Sequence, residues 1–414
     1  MEELKTYRLA DICNSIQTGP FGSQLHKSDY VEFGTPIVMP KDITNGKIND
    51  NNISRISKND VARLFKHKLV PGNIIYPRRG DISKCALITS KEDGWVCGTG
   101  CIKVDINQQI ANSTYVMYVL CQSETVNWIE SNAVGTTMLN LNTSILSDLP
   151  IKLPSLNTQK KLANIVSSFD KKIALNRRIN DNLEQQAQAL FKSWFVDFEP
   201  FKGRKFVESE MGMIPEGWKV GVLSDFIELL SGFAFKSNTF EFEGKYKLIT
   251  IKAVQDGYLD LSGADNINNV PDRIPIHCFL KKKDILLSLT GNVGRCCLVN
   301  NENLLLNQRV AKVEPKKIED WAYSYILFRL PSTKTYLETI SRGTAQANLS
   351  PIETANMPIL IPPREIMDAF SVCVTPIVNY LMVLTIEAEK LAKQRETLLP
   401  KLMSGELKIN DLNC

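Results

Sequence analysis

The sequence predicts an α+β protein made by tandem duplication, in which two similar mixed α/β domains are each followed by a long coiled-coil helix. Three observations carry this. Leu162, Val166, Phe169, Ile173, Leu183, Ala187, Leu190 and Trp194 recur in a four-three alternation broken only by Asn176 and Asn180, the seam of a helix that buries one stripe. Moved on by 208 residues, the spacing returns at Phe370, Val374, Ile377, Leu381, Leu384, Ala388, Leu391, Arg395, Leu398 and Leu402, apolar at all but Arg395. Framework residues ahead of the two helices also match, with an offset that drifts from 214 to 208, as in tandem copies that have lost a few loop residues.

The first domain spans 1–154. Thr35–Pro40, Asn73–Tyr76, Cys85–Thr89 and Cys101–Val104 predict strands between Gly, Pro, Asn and Asp clusters, and Thr114–Ser123 with Glu124–Ser131 predict helix. The helix of 155–199 follows; roughly 40 residues make a rod of about 60 Å, longer than a small domain needs. Asn176 and Asn180 either fray its seam or fix its register, and Arg177 and Arg178 form a solvated face or touch a partner.

Residues 200–217, within Phe198–Trp218, are rich in Gly, Pro and charge and predict an exposed connector. The second domain, 218–362, repeats the first. Leu9 and Asp11 return as Leu223 and Asp225, Lys41 and Gly46 as Lys252 and Gly257, Gly80 and Cys85 as Gly291 and Cys296, and Gly135 and Asn140 as Gly343 and Asn348. The segments between differ, as two scaffolds reading different targets, or drifting loops, would. The second helix and tail, 363–414, start at Pro362 and Pro363, where proline is tolerated; Pro376 predicts a bend, and Pro400 with Gly405 the end.

A chain of 414 residues, 43% hydrophobic and 23% charged, has the composition of ordinary globular domains. The net charge of +4 permits nucleic-acid binding without demanding it. The charged start MEELKTYRLA lacks an export signal's apolar stretch, and no run reaches the roughly 18 uncharged apolar residues of a membrane span, so a cytoplasmic protein without membrane contact is expected. Ten cysteines without a CxxC pair and three histidines predict reduced, mostly buried thiols rather than zinc or disulfides.

No catalytic constellation is present: there is no GxGxxG after a strand, no P-loop, no Asn-Pro-Pro-aromatic and no HExxH. Neither catalysis, a cofactor nor a metal is expected. Polar residues cluster instead around loops that recur in both copies. In the first these are Gln17, Thr18, Ser23, Lys41, Arg78, Arg79, Lys84, Thr136, Thr137 and Asn140; in the second, Ser231, Lys236, Lys252, Asn292, Arg295, Gln308, Arg309, Arg342, Thr344, Gln346 and Asn348. Arg, Lys, Gln and Asn suit base edges, and Ser and Thr suit phosphates. Singly, each is more often a solvated side chain; as a recurring set they are the candidate DNA-contacting residues.

LFKSWFVDFEPF (Leu190–Phe201), ESEMGMIPEGWKV (Glu208–Val220) and LLPKLMSGELKI (Leu398–Ile409), with GPFGSQL (Gly19–Leu25) at the front, resemble the shared regions of type I restriction-modification specificity subunits. The likeness covers essentially the whole chain; SGFAFKS replaces GPFGS in the second copy. It implies a non-catalytic subunit with two target recognition domains, each reading one half of a split asymmetric site in double-stranded DNA. It also implies that the long helices pack antiparallel about a pseudo-two-fold axis and dock adenine methyltransferase subunits, two of them expected, which restriction motor-nuclease subunits join for cleavage. The other reading of the duplicated layout is a pseudo-symmetric scaffold that binds only proteins.

Overall fold

The computed structural model describes residues 4–44, 46–135, 139–343 and 347–407. The chain forms two compact units, Met1–Lys172 with Leu391–Cys414, and Ile173–Lys390.

In unit one, Lys5–Arg8 pairs antiparallel with Pro150–Leu153, closing the domain on itself. A four-stranded antiparallel sheet has the order Cys13–Thr18, Cys101–Ile106, Asn73–Pro77, Ala86–Leu87. A second has the order Tyr30–Val31, Arg55–Ile56, Thr35–Val38, Val96–Cys97, its last pair parallel. Each predicted strand overlaps an observed one; the first stops at Val38 because Pro40 opens a short turn. Helices Ser113–Leu120 and Ser123–Asn132 follow, and the Asn112 carboxamide caps the first by accepting from the Tyr115 amide at 3.0 Å.

Unit two repeats the plan. Lys219–Val222 pairs with Pro358–Ile361, and the antiparallel sheet runs Ile227–Ser231, Val310–Pro315, Ile285–Ser288, Cys296–Leu298. The second sheet runs Asn266–Ile267, Tyr246–Ile249, Leu304–Leu306, Phe279–Leu280, with the middle pair parallel. Individual bonds recur at the offsets read from sequence. Leu9 N donates to Leu149 O at 2.9 Å and Leu223 N to Met357 O at 2.8 Å; Gly46 N donates to Cys85 O at 2.8 Å and Gly257 N to Cys296 O at 2.9 Å.

The long helices are Leu156–Phe195 and Arg364–Met403, each of 40 residues. In unit one, Leu162 and Val166 of the first join Leu402 of the second in the domain core with Tyr76, Ile102 and Tyr115. In unit two the helices run antiparallel: Asn176 meets Glu387, Asn180 meets Thr385, and Phe195 packs on Phe370 at 4.7 Å between ring centroids. Asn176 is fully buried, and its Nδ2 donates to Glu387 Oε2 at 2.7 Å. Both seam asparagines are therefore bonded across the helix pair rather than frayed, which suits register-fixing.

The structure refines three expectations. The connector, mostly exposed, is nonetheless structured: Phe206–Ser209 and Gly212–Pro215 form a hairpin, and Phe201, Ile214 and Trp218 are buried in unit two's core. Phe201 and Trp218 lie 5.3 Å apart, Trp194 and Phe201 6.1 Å. The aromatics among its glycines and charges are anchors, each contributing about 1.5–3 kcal/mol on burial. The second helix ends between Pro400 and Gly405, passing the proline by one turn. It runs to Met403, because one missing N–H costs less than exposing Leu402 and Met403, both buried. Finally, Arg364–Met403 contains a stretch long and apolar enough, by length and composition only, to cross a membrane; Phe370, Val374 and Val378 on it are fully buried in unit two's core, where a core helix needs such residues. All nine described cysteines are free, six of them buried.

Candidate nucleic-acid interface

The sheet register of unit one brings several candidates to one edge. Thr18 lies opposite Ile102, and so does Tyr76. Beyond these strand ends, Arg78 N donates to Gly100 O at 2.6 Å and Leu141 N to Arg78 O at 2.8 Å, while Asn140 bridges both Arg79 and Val134. Thr18, Arg78, Arg79 and Asn140 thus converge. Gly19 explains GPFGS: a Cβ there would lie 2.0 Å from Gly98 O, so only glycine lets this turn sit on the sheet edge. Lys41 is exposed beside Pro40, whose Cγ lies 3.2 Å from where a Gly100 Cβ would be.

Some candidates are occupied within the fold. Gln17 donates to Lys66 O at 2.5 Å, and the Lys103 ammonium donates to Lys66 O at 3.0 Å and Lys68 O at 3.2 Å. Burial lowers the Lys103 pKa and also that of the neighbouring His67 imidazole. Lys84 is paired with Asp81 at 2.6 Å. Ser23 is exposed in the turn closed by Gln24 N donating to Phe21 O, with no bond to the cluster among the described residues. Arg78 Nε and Asn140 Oδ1 are buried without a protein partner among the described residues.

Unit two builds the equivalent edge. Ser231 lies opposite Ala311, Leu289 N donates to Arg309 O at 2.9 Å, and Asn348 bridges Thr290 and Arg342. Thr290 Oγ1 donates to Asn348 Oδ1 at 2.9 Å. Gly232 takes the place of Gly19: its Cβ would fall 2.2 Å from Asn307 O, so SGFAFKS keeps the glycine that the turn requires. Gln308 and Arg309 are exposed beside it, as are Lys236 and Lys252. Arg342 is ion-paired with Glu353. Asn292 and Arg295 line a cavity of about 260 Å³ with Gln255, Asp256, Tyr258 and Lys334, and Arg295 Nη1 donates to Gln255 Oε1 at 2.6 Å. Thr136, Thr137, Thr344 and Gln346 lie outside the described residues.

Sequence reasoning missed Arg329. Its guanidinium donates to Glu184 at 2.6 Å and to Asp256 at 2.8 Å, tying the loop of Gln255 and Asp256 to the first long helix inside unit two. No motif signals it, since its partners are 145 and 73 residues away. Among the described residues no group of three or more His, Cys, Asp or Glu is placed to hold a metal ion.

The family model described as "Type I restriction modification DNA specificity domain" matches twice, over residues 1–185 and 215–372. The HindI specificity subunit of Haemophilus influenzae is 24% identical, with 98% of this chain and 100% of that one covered. The MjaIX specificity subunit of Methanocaldococcus jannaschii is 27% identical over 91% of this chain and 88% of that one. In fold, the crystal structure of the type I S subunit from M. genitalium is similar with a TM-score of 0.59, at 17% identity, covering 97% of this chain and 96% of that one. With both repeats matched by the family model, the chain belongs to the DNA specificity subunits of type I restriction-modification systems, the non-catalytic components of those complexes.

Proposed function

We propose that each unit reads one half of a bipartite, asymmetric site in double-stranded DNA, and that the two long helices set the unread spacer and dock methyltransferase subunits, two per chain, with restriction subunits joining the assembly. The observation that carries this reading is the twice-built sheet edge. The same backbone bonds hold Arg78, Arg79 and Asn140 in one copy and Thr290, Arg309, Arg342 and Asn348 in the other, so one frame presents two different polar sets. Arg and Asn are the side chains suited to bidentate contacts with guanine and adenine. Partner docking is supported by Val372, Tyr380, Val383 and Ile386, 39–75% exposed on the second helix of unit two, where an uncovered apolar face invites another protein. Cytoplasmic residence follows from a chromosomal target.

A gel shift of the assembled complex across a salt titration tests DNA binding, because phosphate contacts released by salt steepen the loss of affinity. Salt-independent or absent binding would leave the protein-only scaffold. Exchanging Met1–Leu153 for the same region of a relative changes one half-site only; change in both halves counts against modular readout. Deleting two seam heptads from each long helix alters the preferred spacer, and an unchanged spacer refutes the ruler.

A further inference from the structure

We infer that Arg309 is a specificity-determining residue of unit two, presenting its guanidinium to a guanine edge in the half-site that unit reads; this rests on the DNA-reading proposal above. The two copies align bond for bond here. Arg78 N donates to Gly100 O at 2.6 Å, and Leu289 N donates to Arg309 O at 2.9 Å; Gly19 N donates to Cys101 O at 2.8 Å, and Gly232 N donates to Val310 O at 3.1 Å. Arg309 therefore stands where the first copy has Gly100. Both are left-handed, with φ of +82° and +71°. Glycine adopts this conformation freely, whereas an arginine is strained in it.

Lys283 likewise holds φ of +76° where the first copy has the left-handed Gly72, but its ammonium packs over the Trp321 ring; strain kept at Arg309, which has no such contact, points to function. Arg309 is exposed at the same edge as Gln308 and Asn348. Arg342 there is paired with Glu353, and Arg295 donates to Gln255; among the described residues Arg309 has no side-chain partner. A phosphate contact needs only charge within reach, which a relaxed backbone and a long side chain supply. A bidentate base contact needs the guanidinium fork delivered from a defined point, and the left-handed backbone sets the direction in which the side chain leaves the turn.

The test uses the complex with its methyltransferase partners and two duplexes: one carrying the methylated motif mapped on the host chromosome, the other with the half-site of unit two scrambled. Arg309→Gly, which restores the sister copy's residue, melts at or above the wild-type temperature. It loses about 10- to 100-fold in affinity for the mapped duplex and keeps its affinity for the scrambled one. Arg309→Lys keeps the charge yet loses discrimination at one guanine position of that half-site. Unchanged affinity of Arg309→Gly for the mapped duplex, an equal loss on both duplexes, or wild-type discrimination by Arg309→Lys would each overturn the inference. Wild-type complex that fails to distinguish the duplexes would instead refute the DNA-reading proposal itself.

Discussion

Arg395, the one charged residue of the second seam, meets Asp170 of the first long helix at 2.5 Å, and the same carboxylate accepts the Tyr118 hydroxyl at 2.5 Å. The break in the heptad is thus a three-way tie, inside unit one, between both helices and the domain. Seam logic says that leucine at 395 improves the coiled coil. The geometry says the reverse: Arg395→Leu leaves Asp170, 22% exposed, without its counter-charge and costs about 2 kcal/mol. Urea denaturation at neutral pH checks this, and Asp170→Asn added to Arg395→Leu recovers part of the loss.

Unit two contains a more buried version. Arg329 is 12% exposed and Glu184 17%, with Gln188 Nε2 donating to Arg329 O at 2.9 Å. Arg329→Met keeps much of the volume but strands Glu184, and the expected cost is about 3 kcal/mol. Adding Glu184→Gln returns much of it, measured in the same denaturation experiment; no recovery would mean that packing, not charge, is what the arginine supplies.

The seams and the drifting offset were legible because buried stripes and duplicated frameworks leave a period in the chain. Leu9 and Leu223 could be paired by number alone, and their amides make the same bond. The second sheet of unit one was less legible: strands such as Tyr30–Val31 and Arg55–Ile56 are too short to show a period of two. Aromatic anchors at Phe201 and Trp218 were hidden by the surrounding glycine and charge. At the candidate interface, residue type and recurrence located the edge but not its bookkeeping of partners. Nothing local announces that Arg342 is neutralised by Glu353 or that Arg309 sits in a left-handed turn, since both follow from tertiary closure.

Glu389 supplies a pH signature. Its Oε1 accepts Asn300 Nδ2 at 2.6 Å, yet burial dominates and raises its pKa above the usual glutamate value. The folded state thus binds this proton more tightly than the unfolded chain. The stabilisation is complete below the ordinary glutamate pKa and is lost as pH rises through the folded value. Glu389→Gln keeps an acceptor for Asn300 and carries no charge, so it gains stability relative to wild type as pH rises from 4 towards 8. Parallel stability curves for the two proteins over that range would contradict the assignment.

On the proposal that each unit reads DNA, Arg78 and Arg342 are expected to respond differently to truncation. Arg78 is half-buried, its backbone bonded on both sides, and its buried Nε has no protein partner among the described residues, so its donors are not spent within the fold. Arg78→Ala is expected to weaken binding to the mapped site by about 1–3 kcal/mol and to relax preference at one base pair. Arg342 is 81% exposed and already paired with Glu353, so less of its charge is available to a base. Removing it unmasks the Glu353 carboxylate at the same edge, where like charge repels every phosphate backbone alike. Arg342→Ala therefore weakens binding to mapped and scrambled duplexes by the same factor, an effect that shrinks as salt screens it. Arg342→Ala combined with Glu353→Gln restores most of the affinity if repulsion is the cause; a loss confined to the mapped duplex would make Arg342 a base contact instead.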